Sequence, residues 1–111
     1  MRRPLLTLPI LTLLACGDAA PDDPNAALVK RGRVVYETVC TACHARGNPA
    51  EAGPVGPALA GSSLALLEAK VLRNEYPPGH LPQRDTKAMI RFPHLEPDLP
   101  ALHAYLASFG E

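Results

Sequence analysis

At 111 residues the chain has room for one small domain, and a 47% hydrophobic composition sets it apart from disordered segments. Eleven basic against eleven acidic residues give a formal net charge of zero, which offers nothing for a nucleic-acid partner. Three Tyr, two Phe and no Trp leave a core poor in aromatics, one that a large buried apolar group would complete.

Arg2 and Arg3 precede a short apolar run, Leu5 to Leu14, too short to span a bilayer and suited to a secretory signal. Leu13-Leu14-Ala15-Cys16 follows and resembles the lipobox of bacterial lipoproteins, in which the cysteine is diacylated and becomes the new N-terminus. Residues 1–15 are therefore expected to be a lipoprotein-type signal peptide, with Cys16 the lipidated residue. The alternatives are ordinary cleavage near Ala20 or an uncleaved anchor. The residues that a twin-arginine signal expects around its arginine pair are missing. Removing residues 1–15 takes two arginines, so 9 basic residues remain against 11 acidic, a net charge of −2. Residues 16–25 read as the lipidated cysteine and a Pro-rich, acidic tether reaching roughly 3 Å per residue. Such a leash holds a domain spanning 26–111 close to a membrane and favours partners on the same membrane.

Asn25 reads as the N-cap of a helix running to about Val39, with Leu28, Gly32, Val35, Tyr36 and Val39 on one face. At its end stands Cys40-Thr41-Ala42-Cys43-His44, the spacing of a c-type haem attachment site. The spacing has a chemical reason. Each thiol adds S–H across one porphyrin vinyl to form a thioether, and the next residue, His44, lies where it can bind the iron. A Cys40–Cys43 redox disulfide would want a βαβ setting that is absent, and a zinc site would want a second pair of ligands. Cys16, the remaining cysteine, is taken by processing.

Residues 46–61 hold four glycines and three prolines, a stretch unable to form a helix or central strand but able to wrap a flat ligand. Ser62 or Ser63 caps a second helix to about Asn74, with Leu64, Leu67, Val71 and Leu72 inward and Pro77-Pro78-Gly79 as its stop. Residues 80–93 are again proline-punctuated loop. A last helix is expected from near Glu96, with Pro97 and Pro100 tolerated close to its start, to about Phe109. Leu99, Leu102, Leu106 and Phe109 form its apolar stripe. No repeat and no convincing strand is present.

The pattern from Ala26 to Phe109 resembles the small class I cytochromes c of bacteria. The resemblance rests on Gly32-x-x-x-Tyr36-x-x-x-Cys40-x-x-Cys43-His44, on Gly56-Pro57-x-Leu59-x-Gly61, on Met89 followed by Phe92-Pro93-x-Leu95, and on Leu102-x-x-Tyr105-Leu106. It implies an all-α cytochrome c fold, about three helices and long Gly/Pro-rich loops wrapped around one covalently bound haem c. It further implies that the Pro57 carbonyl accepts from Nδ1–H of His44 and that Leu59 packs on the haem face. Gly32 would let the terminal helices approach, with Tyr36 and Tyr105 in the contact. After Met89 many relatives have proline, where this chain has Ile90.

The sixth iron ligand decides the chemistry. Met89, His80, His94 and His103 are the candidates; His103 lies mid-helix, His80 and His94 lie in loops, and the family pattern selects Met89. A His44–Met89 pair raises the potential and leaves no open site, which suits electron transfer between a donor and an acceptor redox protein, with no small-molecule substrate. Arg46, Lys87 and Arg91 are candidates for docking an acidic partner, although solvated charges of this kind are commonplace. The alternatives are a haem enzyme or gas or redox sensor using His80 or His94 at a labile distal site, and a dedicated cytochrome subunit of a larger oxidoreductase.

Overall fold

Helix α1 (Pro24–Val39) begins where Asp23 Oδ1 accepts from the Asn25 amide at 2.9 Å, with Pro24 in the first turn. The cap is therefore Asp23 and not Asn25: a proline at the first helical position needs its cap immediately before it. The computed structural model describes residues 4, 23–84 and 87–110. The expected signal peptide apart from residue 4, the expected lipidation site Cys16 and most of the expected tether lie outside the described residues.

Gly32, Val35 and Tyr36 form the buried stripe of α1, while Leu28 at its start remains 39% exposed. The polar face carries an Arg33–Glu37 pair one turn apart at 3.0 Å. The helix tightens into a 3-10 turn, Cys40–Ala42, closed by the Cys43 amide donating to Cys40 O at 3.3 Å, and the His44 amide donates to the same carbonyl at 2.9 Å.

Ser63 caps α2 (Leu64–Leu67), its Oγ accepting from the Leu66 amide at 3.1 Å. The chain then continues as a π-helical segment, Glu68–Leu72. Widening the helix diverts carbonyls from the regular ladder, and Val71 O accepts from the Phe92 amide at 2.7 Å. Asn74 ends the segment in the left-handed region at φ 53°, ahead of the Pro77-Pro78-Gly79 stop that the sequence suggested. Leu67 and Val71 are buried, while Leu64 and Leu72 pack against the core from its edge.

The last helix departs from expectation at its start. Pro93–Asp98 is 3-10, and α3 (Leu99–Ala107) begins three residues later than Glu96, with Pro100 in its first turn. Pro97 and Pro100 both lack the amide an α-ladder would use, so regular α-helix becomes possible only from there. Leu99, Leu102, Tyr105 and Leu106 are buried; Phe109 lies beyond the helix, 37% exposed, edge-on to Tyr105.

The most extensive packing joins α1 to α3. It is closest at Gly32, where a Cβ would overlap the Ala101 carbonyl and stand 2.7 Å from the Tyr105 Cβ. Tyr36 and Tyr105 meet beside this crossing with ring centroids 5.6 Å apart. Tyr36 is fully buried and its hydroxyl donates to Ala45 O, tying α1 to the segment after His44. Regular structure among the described residues is helical, with no strand, so the all-α class holds.

Candidate cofactor site

The loop from Cys43 to Gly61 is ordered by its own backbone. Cys43 O accepts from Val55 and Gly56, Gly53 donates to Gly56 O at 2.9 Å, and Pro49 O accepts from Leu59 and Ala60. The second loop is tied to this one: the Arg84 guanidinium donates to Gly53 O at 2.9 Å and Gln83 to Ala58 O at 3.4 Å.

Between these loops, α2 and the inner face of α3 lies a cavity of about 330 Å³. Its floor is the core itself, including Leu67, Val71, Leu95 and Leu102. Cys40, Cys43, His44, Pro57, Leu59 and Met89, the six residues expected from sequence at a cofactor, all line it. So does His80, whose ring stacks on Tyr76 with centroids 5.2 Å apart and 7° between planes. The other candidates stand elsewhere. His94 is exposed, edge-on to Phe92, and His103 borders a separate depression with Leu28, Leu64 and Pro100. Arg46, Lys87 and Arg91 are exposed.

His44 is buried, and its Nδ1 lies 2.8 Å from Pro57 O. A carbonyl only accepts, so this nitrogen carries the proton and the ring's lone pair resides on Nε2. Burial lowers the pKa of His44 below its ordinary value, opposed by the Pro57 hydrogen bond and assisted by the nearby Arg84 charge. The neutral tautomer with a free Nε2 lone pair is thus the favoured form. Gly56 and Gly53 hold the ring and its backbone closely. A Cβ at Gly56 would stand 2.7 Å from Nε2 and closer still to Nδ1, and one at Gly53 would stand 2.5 Å from the His44 Cα.

Cys40 and Cys43 are unbonded thiols, both partly buried. Burial pushes the Cys40 thiol up to about 11. That runs against the low-pKa thiolate of a dithiol exchange site. Among the described residues no group of three or more His, Cys, Asp or Glu stands together as a closed zinc site would need. What lines the cavity is two thiols, one oriented imidazole, one thioether and a second imidazole.

Three contributors were not singled out as site residues by the sequence. Asn74 donates from Nδ2 to Met89 O at 3.0 Å and accepts at Oδ1 from Lys70 Nζ at 2.9 Å, while Gly53 and Gly56 confine His44. Gly53 stood out only as a loop former, Gly56 as part of the loop motif with Pro57 and Leu59, and Asn74 only as a helix end. No protein-family model matches this chain, and no curated protein matches it. Among the described residues, no helix is long and apolar enough to cross a membrane.

Proposed function

We propose that this chain is a small class I cytochrome c, a single-haem electron carrier of the cell envelope held at a membrane through Cys16. The observation that carries the reading is the convergence on one apolar cavity of the Cys40-x-x-Cys43-His44 turn, the Pro57 carbonyl that orients His44, and Met89. The fit is chemical as well as spatial. A neutral imidazole and a thioether are the donors a low-spin haem iron takes, and the core residues of the floor leave space for an apolar ligand.

In this reading Cys40 and Cys43 hold the porphyrin through thioethers, and His44 and Met89 hold the iron. The bound haem supplies a one-electron Fe(II)/Fe(III) couple. The protein's own residues set its terms. Pro57 fixes the His44 tautomer and raises the basicity of Nε2. Leu59, Leu67 and Val71 exclude water, and the Met89 thioether favours the reduced state. With His44 and Met89 both held to the iron, no side would be left for a substrate, and the chain would serve to pass electrons. Donor and acceptor would be redox proteins at the same membrane, and a fixed place in a larger oxidoreductase is the same chemistry with permanent partners.

A second reading has one observation in its favour: His80 lines the same cavity, so a bis-imidazole site, or an open site with His80 as a distal base, is compatible with the residues present. The visible and near-infrared spectrum of the oxidised, loaded protein separates the two. A weak thioether-to-iron band, lost in Met89→Ala, supports the carrier. A high-spin spectrum that responds to cyanide or carbon monoxide, or a parent spectrum unchanged in Met89→Ala but altered in His80→Ala, rejects it. Mass spectrometry of the membrane fraction tests the anchor, which requires a diacylglycerol on Cys16.

A further inference from the structure

Asn74 sits where a helix ends in the left-handed region, a position for which glycine is the usual solution. Its side chain does more than tolerate that conformation. Oδ1 accepts from Lys70 Nζ at 2.9 Å, and an ammonium group only donates, so the orientation of the amide is settled and Nδ2 faces the Met89 carbonyl at 3.0 Å. Lys70 is itself held, its ammonium 4.4 Å above the centroid of the Tyr76 ring. Three residues beyond Met89, the Phe92 amide donates to Val71 O at 2.7 Å. The segment from Met89 to Phe92 is therefore pinned to the end of one helix at two points, by an asparagine side chain at one and by a carbonyl released in the π-helical segment at the other.

We propose that Asn74, oriented by Lys70, is the positioning residue that holds the Met89 backbone so that its thioether reaches the cofactor. This rests on the reading of Met89 as an iron ligand. The physical need is clear. A methionine side chain has three rotatable bonds and keeps a thioether in place only if its backbone is anchored. His80, the other donor on the cavity wall, stands ready to replace it. A net hydrogen bond of the ordinary kind changes such an equilibrium by about three- to tenfold.

The test uses the loaded protein with Asn74→Gly, which keeps the left-handed turn and removes the amide, and Asn74→Asp, which keeps the shape and replaces the donor by an acceptor. Lys70→Ala, which frees the amide without touching it, is the independent third variant. Two readouts are taken on the oxidised form: the intensity of the thioether-to-iron band, and the rate at which imidazole displaces the sixth ligand. The expected result is a weakened band and an imidazole rate about three- to tenfold higher in both Asn74 variants, with a smaller change in Lys70→Ala. Far-ultraviolet circular dichroism and the visible spectrum of the reduced form stay those of the parent. Parent-like band intensity and imidazole rate in both Asn74 variants overturn the proposal and leave Asn74 as a helix terminator only. A parent that lacks the band and is indifferent to Met89→Ala removes the ligand reading itself, and this inference with it; the Asn74 variants alone do not produce that result.

Discussion

Gly56→Ala puts the geometry of His44 to a direct test. The added methyl would stand 2.7 Å from Nε2 and nearer to Nδ1, where ordinary contact is 3.4–4 Å, so the ring must retreat by roughly 1 Å. The Nδ1–H bond to Pro57 O, now 2.8 Å, does not survive such a shift. Its loss costs about 1 kcal/mol, and forcing a methyl into a filled space costs about 1–3 kcal/mol more. The sum, about 2–4 kcal/mol, corresponds to a fall in Tm on the order of 10–20 °C for a domain of this size. The assay is thermal unfolding of the loaded protein, read beside the exchange protection of the His44 Nδ1 proton by NMR. Gly47→Ala is the control. Gly47 has φ 77° with nothing within 4 Å of a Cβ, so that variant carries backbone strain of about 1 kcal/mol and leaves His44 alone. If Gly56→Ala melts with the parent and keeps a protected Nδ1 proton, the account of how His44 is oriented is wrong.

Gly32→Ala sets two effects against each other: about 1 kcal/mol of helix propensity gained, and about 1–3 kcal/mol lost to overlap with the Ala101 carbonyl and Tyr105. The expected outcome is net destabilisation in urea titration, and a raised urea midpoint contradicts the close crossing. Burial pushes Tyr36 up to about 12, so above its ordinary value of 10 the folded chain keeps a proton that the unfolded chain has lost. Stability therefore falls as pH rises past 10, and Tyr36→Phe flattens the urea midpoint between pH 9 and 11; an unchanged slope refutes the assignment. Finally, the cavity of about 330 Å³ is partly open to solvent. Left unfilled it costs less than the roughly 8 kcal/mol an enclosed void of that size would carry, still a large share of the stability of a small domain. The cofactor-free chain is expected to bind a hydrophobic dye and lack near-ultraviolet circular dichroism, whereas a sharp cooperative melt without cofactor speaks against it.

Much of this architecture is written in local chemistry. The Cys40-x-x-Cys43-His44 turn, the stripe of Gly32, Val35 and Tyr36, the Ser63 cap and the stripe of α3 follow from spacing and side-chain type, and each lies within a residue or two of its expected place. The misses have identifiable causes. Asn25 looked like a cap because asparagine caps well, but Pro24 before it already fits the first turn and hands the role to Asp23. Leu28 and Phe109 fit their helical stripes by period, yet they fall toward helix ends, where Leu28 borders a shallow depression and Phe109 lies past the last turn, and both stay over a third exposed. The π-helical segment had no local signature, since it depends on a carbonyl finding the Phe92 amide some twenty residues away in the chain. The same holds for Asn74 and Met89: nothing in either neighbourhood indicates a bond across 15 residues.

The two walls of the cavity are built to different stiffness, and that difference bears on how the site behaves. On the His44 side, the backbone is bonded at Cys40 O, Cys43 O receives two amides, the ring is bonded to Pro57 O, and Gly53 and Gly56 leave no room for a methyl group. On the Met89 side, the residue is only partly buried, one exposed asparagine holds its carbonyl, and the Phe92 amide on Val71 O is the second tie in a loop punctuated by prolines. Local opening follows the lower density of buried contacts and protected hydrogen bonds, so it begins at Met89 and leaves His44 in place. If the chain carries electrons as proposed, the side that stays constant through each change of charge is the one confined by close packing, and the side of the sixth ligand is the one where a single substitution, Asn74→Gly, removes one of the two bonds that pin it.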